Sequence, residues 1–307
     1  MQMRTTSKTN AKTMAPVWGE EQHFGRAAQR LRVAQPALSR QIQDLERELG
    51  FKLFDRLPRG VELNAAGKAF LHEARHILLA NQDALTHAKR IAQGQVGTLK
   101  IAFTQSLAWQ GIFTESLRLF RAKFPGVDFQ LTPTPSTEQF GLIQAGKIDA
   151  GFAFTMTPIS EELDEFRFGF VTLLLAVPAG HPLTKRKRVR LKDLTEERFI
   201  WAPRWSNPLF IDTLVAECAR GGLTNIQIGQ EATSEPIMLS LVACGAGVAF
   251  VSTCSQRGHP LDTVLLPVSD LKMRLPCGLI WRKDNKTTLI VNFVSELRKM
   301  VDKERRL

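Results

Sequence analysis

The stretch FGRAAQRLRVAQPALSRQIQDLERELG, residues 24–50, decides how the start of the chain folds. Phe24, Ala27, Ala28 and Leu31 recur at i, i+3, i+4 and i+7 and so share one face of a helix. RVAQ (32–35) follows as a short turn. PALSRQIQDLERELG (36–50) opens with Pro36, whose missing N–H costs little at a helix start. Leu38, Ile42, Leu45 and Leu49 line one side, and Gly50 closes the helix as a C-cap. Two short helices across a tight turn make a helix-turn-helix, the second helix of which lies in the major groove of DNA. Gln35, Ser39 and Arg40, at the start of that helix, are donors able to reach base edges or phosphates, while Pro36 and Ala37 are small and allow close approach. An amphipathic helix pair with solvated arginines has the same spacing, so this pattern alone leaves both readings open.

FKLFDRLPRGVELN (51–64) reads as two extended pieces around Leu57-Pro58-Arg59-Gly60, a hairpin. Its Arg56 and Arg59 could reach the DNA backbone or minor groove as a wing. Asn64 then caps a long helix over 65–92, in which Phe70, Ala74, Ile77, Ala84, Ala88 and Ile91 recur at three and four. Such a stripe suits a dimer seam or a linker between domains. The same helix carries HEARH (72–76), the H-E-x-x-H pattern of zinc hydrolases. Those enzymes need a third ligand; position 82 is Gln82, and after Glu73 no glutamate occurs until Glu115. Counting from Phe70 at 100° per residue, His72 and His76 point roughly 160° and 120° away from the apolar stripe, onto a solvated back. No metal, no catalytic residue and no enzyme are expected. Residues 1–20 are polar and aperiodic, and 1–13 are expected to lack fixed structure.

Beyond Gly94 and Gly97 the texture changes. Strand-type runs appear at 98–103, 128–133, 149–154, 171–178, 198–203, 247–252 and 277–283, with helical stretches at 109–124, 136–146, 207–221 and 236–245 between them. Alternating strand and helix with near-continuous apolar strands predicts an α/β unit with mostly parallel sheets. Ligands in such sheets bind at the carboxyl ends of strands.

The chain has 307 residues, with 41 Lys and Arg against 30 Asp and Glu, a formal net charge of +11 and a pI near 9.8. Residues 1–95 hold 15 basic and 9 acidic side chains, so more than half of that excess sits in the first third. This balance favours a polyanionic partner, although a basic soluble surface would look the same. Cys218, Cys244, Cys254 and Cys277 form no C-x-x-C, which removes zinc-ribbon and thioredoxin readings. The first residues lack an apolar secretory core, and the longest apolar stretch, 239–252, is too short and glycine-rich to span a bilayer. A cytoplasmic protein without a membrane partner is expected. KRKR (185–188) reads as a solvated turn, and GKIDAG (146–151) lacks the spacing of a P-loop.

The run F-x-R-A-A-x-x-L-x-V-x-Q-P-A-L-S-R-Q-I-x-x-L-E-x-x-L-G-x-x-L-F-x-R, continuing into R-G-V-x-L-N-A-A-G, resembles the LysR-type transcriptional regulators over 24–75. Weaker counterparts are I-D-A-G-F (148–152), A-G-H-P-L (179–183) and G-A-G-V-A-F-V (245–251), and the chain looks closest to the branch regulating aromatic-compound catabolism. The resemblance implies an α/β protein with an N-terminal all-α winged helix-turn-helix and an effector domain of two α/β lobes like periplasmic binding proteins. Its domains would be 1–64 for DNA, 65–93 as linker and dimerisation helix, 97–170 with 276–307 as one lobe, and 171–275 as the other. It implies a homodimer or homotetramer on double-stranded operator DNA, contact with RNA polymerase, and a small-molecule co-inducer instead of a cofactor. The family's DNA contacts fall on Gln35, Pro36, Ser39, Arg40 and Arg59. Its effector contacts fall on Thr104, Gln105, Ser106, Thr134, Ser136, Pro203, Arg204, Trp205, Thr233 and Ser234. Hydroxyls and backbone N–H groups at helix starts suit anions, but each Ser or Thr would equally serve as a helix cap.

Two departures shape the expectation. The family's amphipathic first helix has only Met14, Val17 and Trp18 to correspond to it here, which leaves open a regulator-like protein that binds effector but not DNA. A solute-binding protein with an extra segment is the other alternative. Second, the branch sensing muconate-like acids has an arginine after D-A-G-F-x, where this chain has Phe154. Phenylalanine cannot pair with a carboxylate, so a more apolar or less acidic effector is expected, unless Arg204 supplies the charge.

Overall fold

The computed structural model describes residues 28–29, 33–57, 60–156 and 158–305. The expectations for 1–13, for most of the first helix at 24–31 and for Arg59 therefore lie outside the described residues; Ala28 and Gln29 are helical. The chain divides into two compact units, residues 1–90 and 91–307.

In the first unit, helix α1 (Gln35–Leu49) starts with a proline in its first turn and ends at Gly50, whose left-handed φ of 78° lets its N–H reach the Glu46 carbonyl. Its apolar side, Leu38, Ile42 and Leu45, packs with Ala28 and Leu53 in a small core. Strands β1 (Phe54–Leu57) and β2 (Gly60–Leu63) pair antiparallel, from Phe54 opposite Leu63 to Leu57 opposite Gly60. One buried carboxylate ties this hairpin to the helix. Glu46 accepts the backbone N–H groups of Leu53 at 2.8 Å and Phe54 at 3.2 Å, and the Lys52 ammonium at 3.0 Å. Burial alone would raise the Glu46 carboxyl, but these three donors outweigh it and hold the group below its ordinary value.

Helix α2 (Ala65–Ala92) is docked at its start. The Asn64 side chain accepts the Gly67 N–H at 2.8 Å and donates to the Lys52 carbonyl at 2.9 Å. A Cβ on Gly67 would lie 2.0 Å from the Leu53 carbonyl oxygen, so the helix meets the hairpin backbone where only glycine fits. Further along, α2 buries little: Ile77, Leu79, Leu85 and Ile91 are all more than half exposed. It stops at Gly94, with a φ of 63°.

In the second unit, β3 (Val96–Phe103) lies between β4 (Gly126–Pro133) and β5 (Ala150–Phe154), parallel to both. Two long crossing strands follow, β6 (Leu163–Pro178) and β11 (Arg274–Arg282), antiparallel to one another. Residues 163–172 of β6 pair with β11, while 173–178 pair with β9 (Ala249–Ser252) and β10 (Thr263–Leu266). β7 (Arg198–Trp201) and β8 (Gln227–Glu231) form a separate parallel pair. The helices are α3 (Gly111–Lys123), α4 (Ser136–Gln144), α5 (Pro208–Arg220), α6 (Glu235–Ala243) and α7 (Thr288–Glu304). Phe293 of α7 meets Phe120 of α3 edge-on at 5.2 Å, and Asn292 holds the carbonyl of Gln93 at 3.0 Å.

The expectation of mostly parallel sheets needs correcting. Within the seven-stranded sheet four pairings are antiparallel, because β6 and β11 cross between the two halves without an intervening helix on the way. The KRKR run is a turn at the surface, with Arg186 paired to Asp193 at 3.1 Å and Arg188 to the Ser269 hydroxyl at 2.8 Å. Among the described residues no helix is long and apolar enough to cross a membrane.

Replacing Glu46 by Ala removes the acceptor of the buried Leu53 N–H and the part-buried Phe54 N–H and is expected to lower stability by about 1–3 kcal/mol in denaturant unfolding. The sign with pH follows from its lowered pKa. The wild-type contribution is present above the ordinary carboxylate value of 4.5 and is lost as pH falls through the folded value, a loss absent from Glu46→Ala. Gly67→Ala should cost about 1–3 kcal/mol in thermal unfolding, by forcing α2 off the hairpin; an unchanged melting curve would contradict the close packing.

Candidate nucleic-acid interface and ligand cavity

The first turn of α1 is an open surface. Gln35, Pro36, Ala37 and Arg40 are exposed and Ser39 is half-buried, while Leu38 between them faces the core. The helix start has no capping side chain and no acidic residue, so its N–H groups and the positive end of its dipole are uncompensated. That arrangement suits a phosphate. Arg56 is exposed on β1, opposite Val61. The neighbouring Arg47 pairs with Asp44 at 2.9 Å and Lys52 with Glu46, so neither is as free as its charge suggests.

In the second unit a cavity of about 560 Å³ opens where five strands end. Behind β3 come Thr104, Gln105 and Ser106; behind β4 come Thr134 and Ser136; Phe154 ends β5. Trp205 follows β7, and Thr233 and Ser234 follow β8. Strand carboxyl ends are where α/β sheets hold ligands. Nine of the eleven residues singled out from the sequence thus share one cavity.

The other two do not line it. Pro203 is buried as the residue before the 3-10 turn Arg204–Ser206. Arg204 is exposed and held by Asp212 through two bonds of 2.7 Å, so it does not supply the cavity with a charge. The bidentate carboxylate holds that guanidinium above its ordinary value and pulls Asp212 below its own.

Several lining residues escaped the sequence reading. Pro133, Pro135, Thr137 and Glu138 flank those chosen on the α4 side, and Ser206, Asn207 and Glu235 on the other. Beneath them lies Gln139, fully buried on α4. Its amide donates to the Thr134 carbonyl at 2.8 Å, the Phe152 carbonyl at 3.2 Å and the Thr104 hydroxyl at 3.3 Å, stitching the loops behind β3 and β4 to strand β5. Thr104 and Ser136 share a hydrogen bond of 2.6 Å, and Ser136 accepts the Phe154 N–H at 2.9 Å. Those hydroxyls hold the floor in shape. Trp205, 76% exposed, stands at the mouth, and Thr137 donates to the Ser206 carbonyl across it at 3.2 Å.

Among the described residues, His72, Glu73 and His76 form a group whose ligand atoms lie within 4.8 Å of one another. All three are exposed on α2, as the helical projection implied, far from the enclosed setting of a catalytic zinc. The four cysteines are free; burial pushes the thiols of Cys218 and Cys277 up to about 12, which keeps them protonated and inert.

Comparison with known proteins closes the question of family. Residues 18–68 match the bacterial regulatory helix-turn-helix of the lysR family, and residues 92–302 match the LysR substrate binding domain. The regulator AlsR of Bacillus subtilis (strain 168) is 32% identical over 276 residues, 90% of either chain. The crystal structure of full-length CbnR complexed with its target DNA is similar with a TM-score of 0.82 at 26% identity, over 95% of this chain and 99% of that one. The effector binding domain of BenM with its effector benzoate is similar with a TM-score of 0.58 at 26% identity, over 67% of this chain and 93% of that one. The chain belongs to the LysR family of DNA-binding transcriptional regulators, proteins that are not enzymes and that pair a helix-turn-helix with an effector-binding domain.

Proposed function

We propose that this regulator binds operator DNA through the first turn of α1 and the β1–β2 wing, and that a small aromatic or related metabolite in the cavity alters that binding. In this reading residues 1–64 engage DNA, 65–93 join copies into a homodimer or homotetramer, and the two lobes, 97–170 with 276–307 and 171–275, enclose the co-inducer. Effector binding would shift the lobes or the copies, change DNA bending and contact with RNA polymerase, and act in the cytoplasm.

The observation that carries the reading is the cavity at five strand ends, with an aromatic wall of Phe154 and Trp205 and a polar rim of hydroxyls. Gln35, Ser39 and Arg40 would read bases, with Pro36 and Ala37 admitting the groove, while Arg56 and the basic excess would supply phosphate contacts and a steep salt dependence. The apolar residues left exposed along α2 support association through that helix. The aromatic branch draws support from the BenM neighbour with its benzoate.

The reading is tested by salt-titrated binding of the full chain to its own upstream DNA against scrambled DNA. Preference for the native fragment is expected, and Arg40→Ala should weaken it by about 1–3 kcal/mol while sparing scrambled DNA. Equal loss on both would make Arg40 a phosphate contact, and no preference at any salt would point to a protein that binds effector alone. In ligand titrations, substituted aromatics should bind more tightly than dicarboxylates, since among the described residues no cationic side chain lines the cavity; the reverse order would overturn that part.

A further inference from the structure

The charges around the cavity narrow the class of ligand it can hold, provided that the cavity is the effector site of the proposed function. Among the described residues sixteen line it; of these Glu138 and Glu235 are acids and none is Lys, Arg or His. Two helices, α4 and α6, begin at its edge, and helix starts ordinarily attract anions. Here both starts are already compensated from within: Glu138 sits in the first turn of α4 and Glu235 in the first turn of α6. Arg204, the nearest candidate for a counter-charge in sequence, is committed to Asp212.

Glu235 is held in place from behind. Its carboxyl accepts the Ser252 N–H at 3.2 Å, the Ser252 hydroxyl at 2.9 Å and the Ser255 hydroxyl at 2.8 Å. Both serines are fully buried and lie at the end of β9 and in the 3-10 turn Thr253–Arg257 behind it. A carboxylate has about four acceptor directions, so three such bonds leave one for a ligand. Burial pushes the group upward, a cost that a donor from the ligand would relieve.

We infer that the effector is a small ring compound without negative charge that presents an N–H donor, neutral or cationic, to Glu235. A second carboxylate in the cavity would meet two acidic side chains and, among the described lining residues, no cation, whereas an amide or amidine nitrogen would meet the one acceptor direction that Glu235 has left and would favour its ionised form. The aromatic face of the ring would lie against Phe154 and Trp205.

Benzoate, benzamide and benzamidine have nearly one shape and differ in charge, which makes them the probes. Calorimetric titration of the full chain at millimolar ligand is expected to give benzamide and benzamidine affinities about ten-fold or more above benzoate. Glu235→Gln, which keeps the size and one acceptor oxygen, should remove the advantage of benzamidine over benzoate, and Glu138→Gln at the exposed lip should reduce it. Benzoate binding as tightly as the other two, or a preference unmoved by Glu235→Gln, overturns the inference while leaving the site intact. If Trp205→Ala changes none of the three affinities, or none of the probes binds, the cavity is not the site and both readings fall.

Discussion

Strand β6 belongs to two halves of one sheet, and the ligand-binding unit depends on that. Its first ten residues run along β11, with one bulge at Phe168, and its last six pair with β9 and β10, so the chain passes between the halves as continuous strand. All of the strand but the bulged Phe168 is paired with a neighbouring strand, and the loops that surround the cavity hang from strand ends. A flexible connection would let those loops drift; a two-strand ladder limits the halves to bending about the crossing.

Charge is handled locally throughout. Glu46 is buried, yet it stabilises the first unit because three donors converge on it from Lys52, Leu53 and Phe54. A carboxylate in that position specifies where the hairpin sits on α1 more sharply than an apolar contact could, since both N–H vectors must point at it. The same economy operates at the cavity, where acids in the first turns of α4 and α6 answer their own helix dipoles. At α1 the opposite holds: no acid and no cap is present, and the open helix start is left for a partner.

Much of this was legible in the sequence, for identifiable reasons. The second helix of the helix-turn-helix was readable because Leu38, Ile42 and Leu45 repeat with the helical period and all three are buried. Strands β3, β4 and β5 showed as apolar runs with clear ends. The first half of β6 did not: Asp164, Glu165 and Arg167 interrupt it, because one side of that ladder faces solvent. β8, QIGQE, is exposed along its whole length and has no apolar signal to find. The apolar positions of α7, from Ile290 to Val301, do repeat at three and four and could have been read. At the cavity, hydroxyls next to strand ends were recognisable from position and from resemblance. Gln139 was not, since a glutamine on a short helix looks like solvent-facing filler until the fold buries it. The pairing of Arg204 was not legible either, because Asp212 is eight residues on and meets it only once a 3-10 turn has led into α5.

The bridge across the cavity mouth has a kinetic corollary. Thr137 and Ser206 are joined by one exposed hydrogen bond, worth about 0.5–1.5 kcal/mol net. Breaking it is a thermal event, so this bond by itself does not shut the cavity to a small molecule. Arrival is then governed by diffusion and concentration, and the duration of a response by how slowly the occupant leaves. In the proposed function, a sensor built this way follows its effector closely and forgets it at a rate set by the walls of the cavity instead of its mouth.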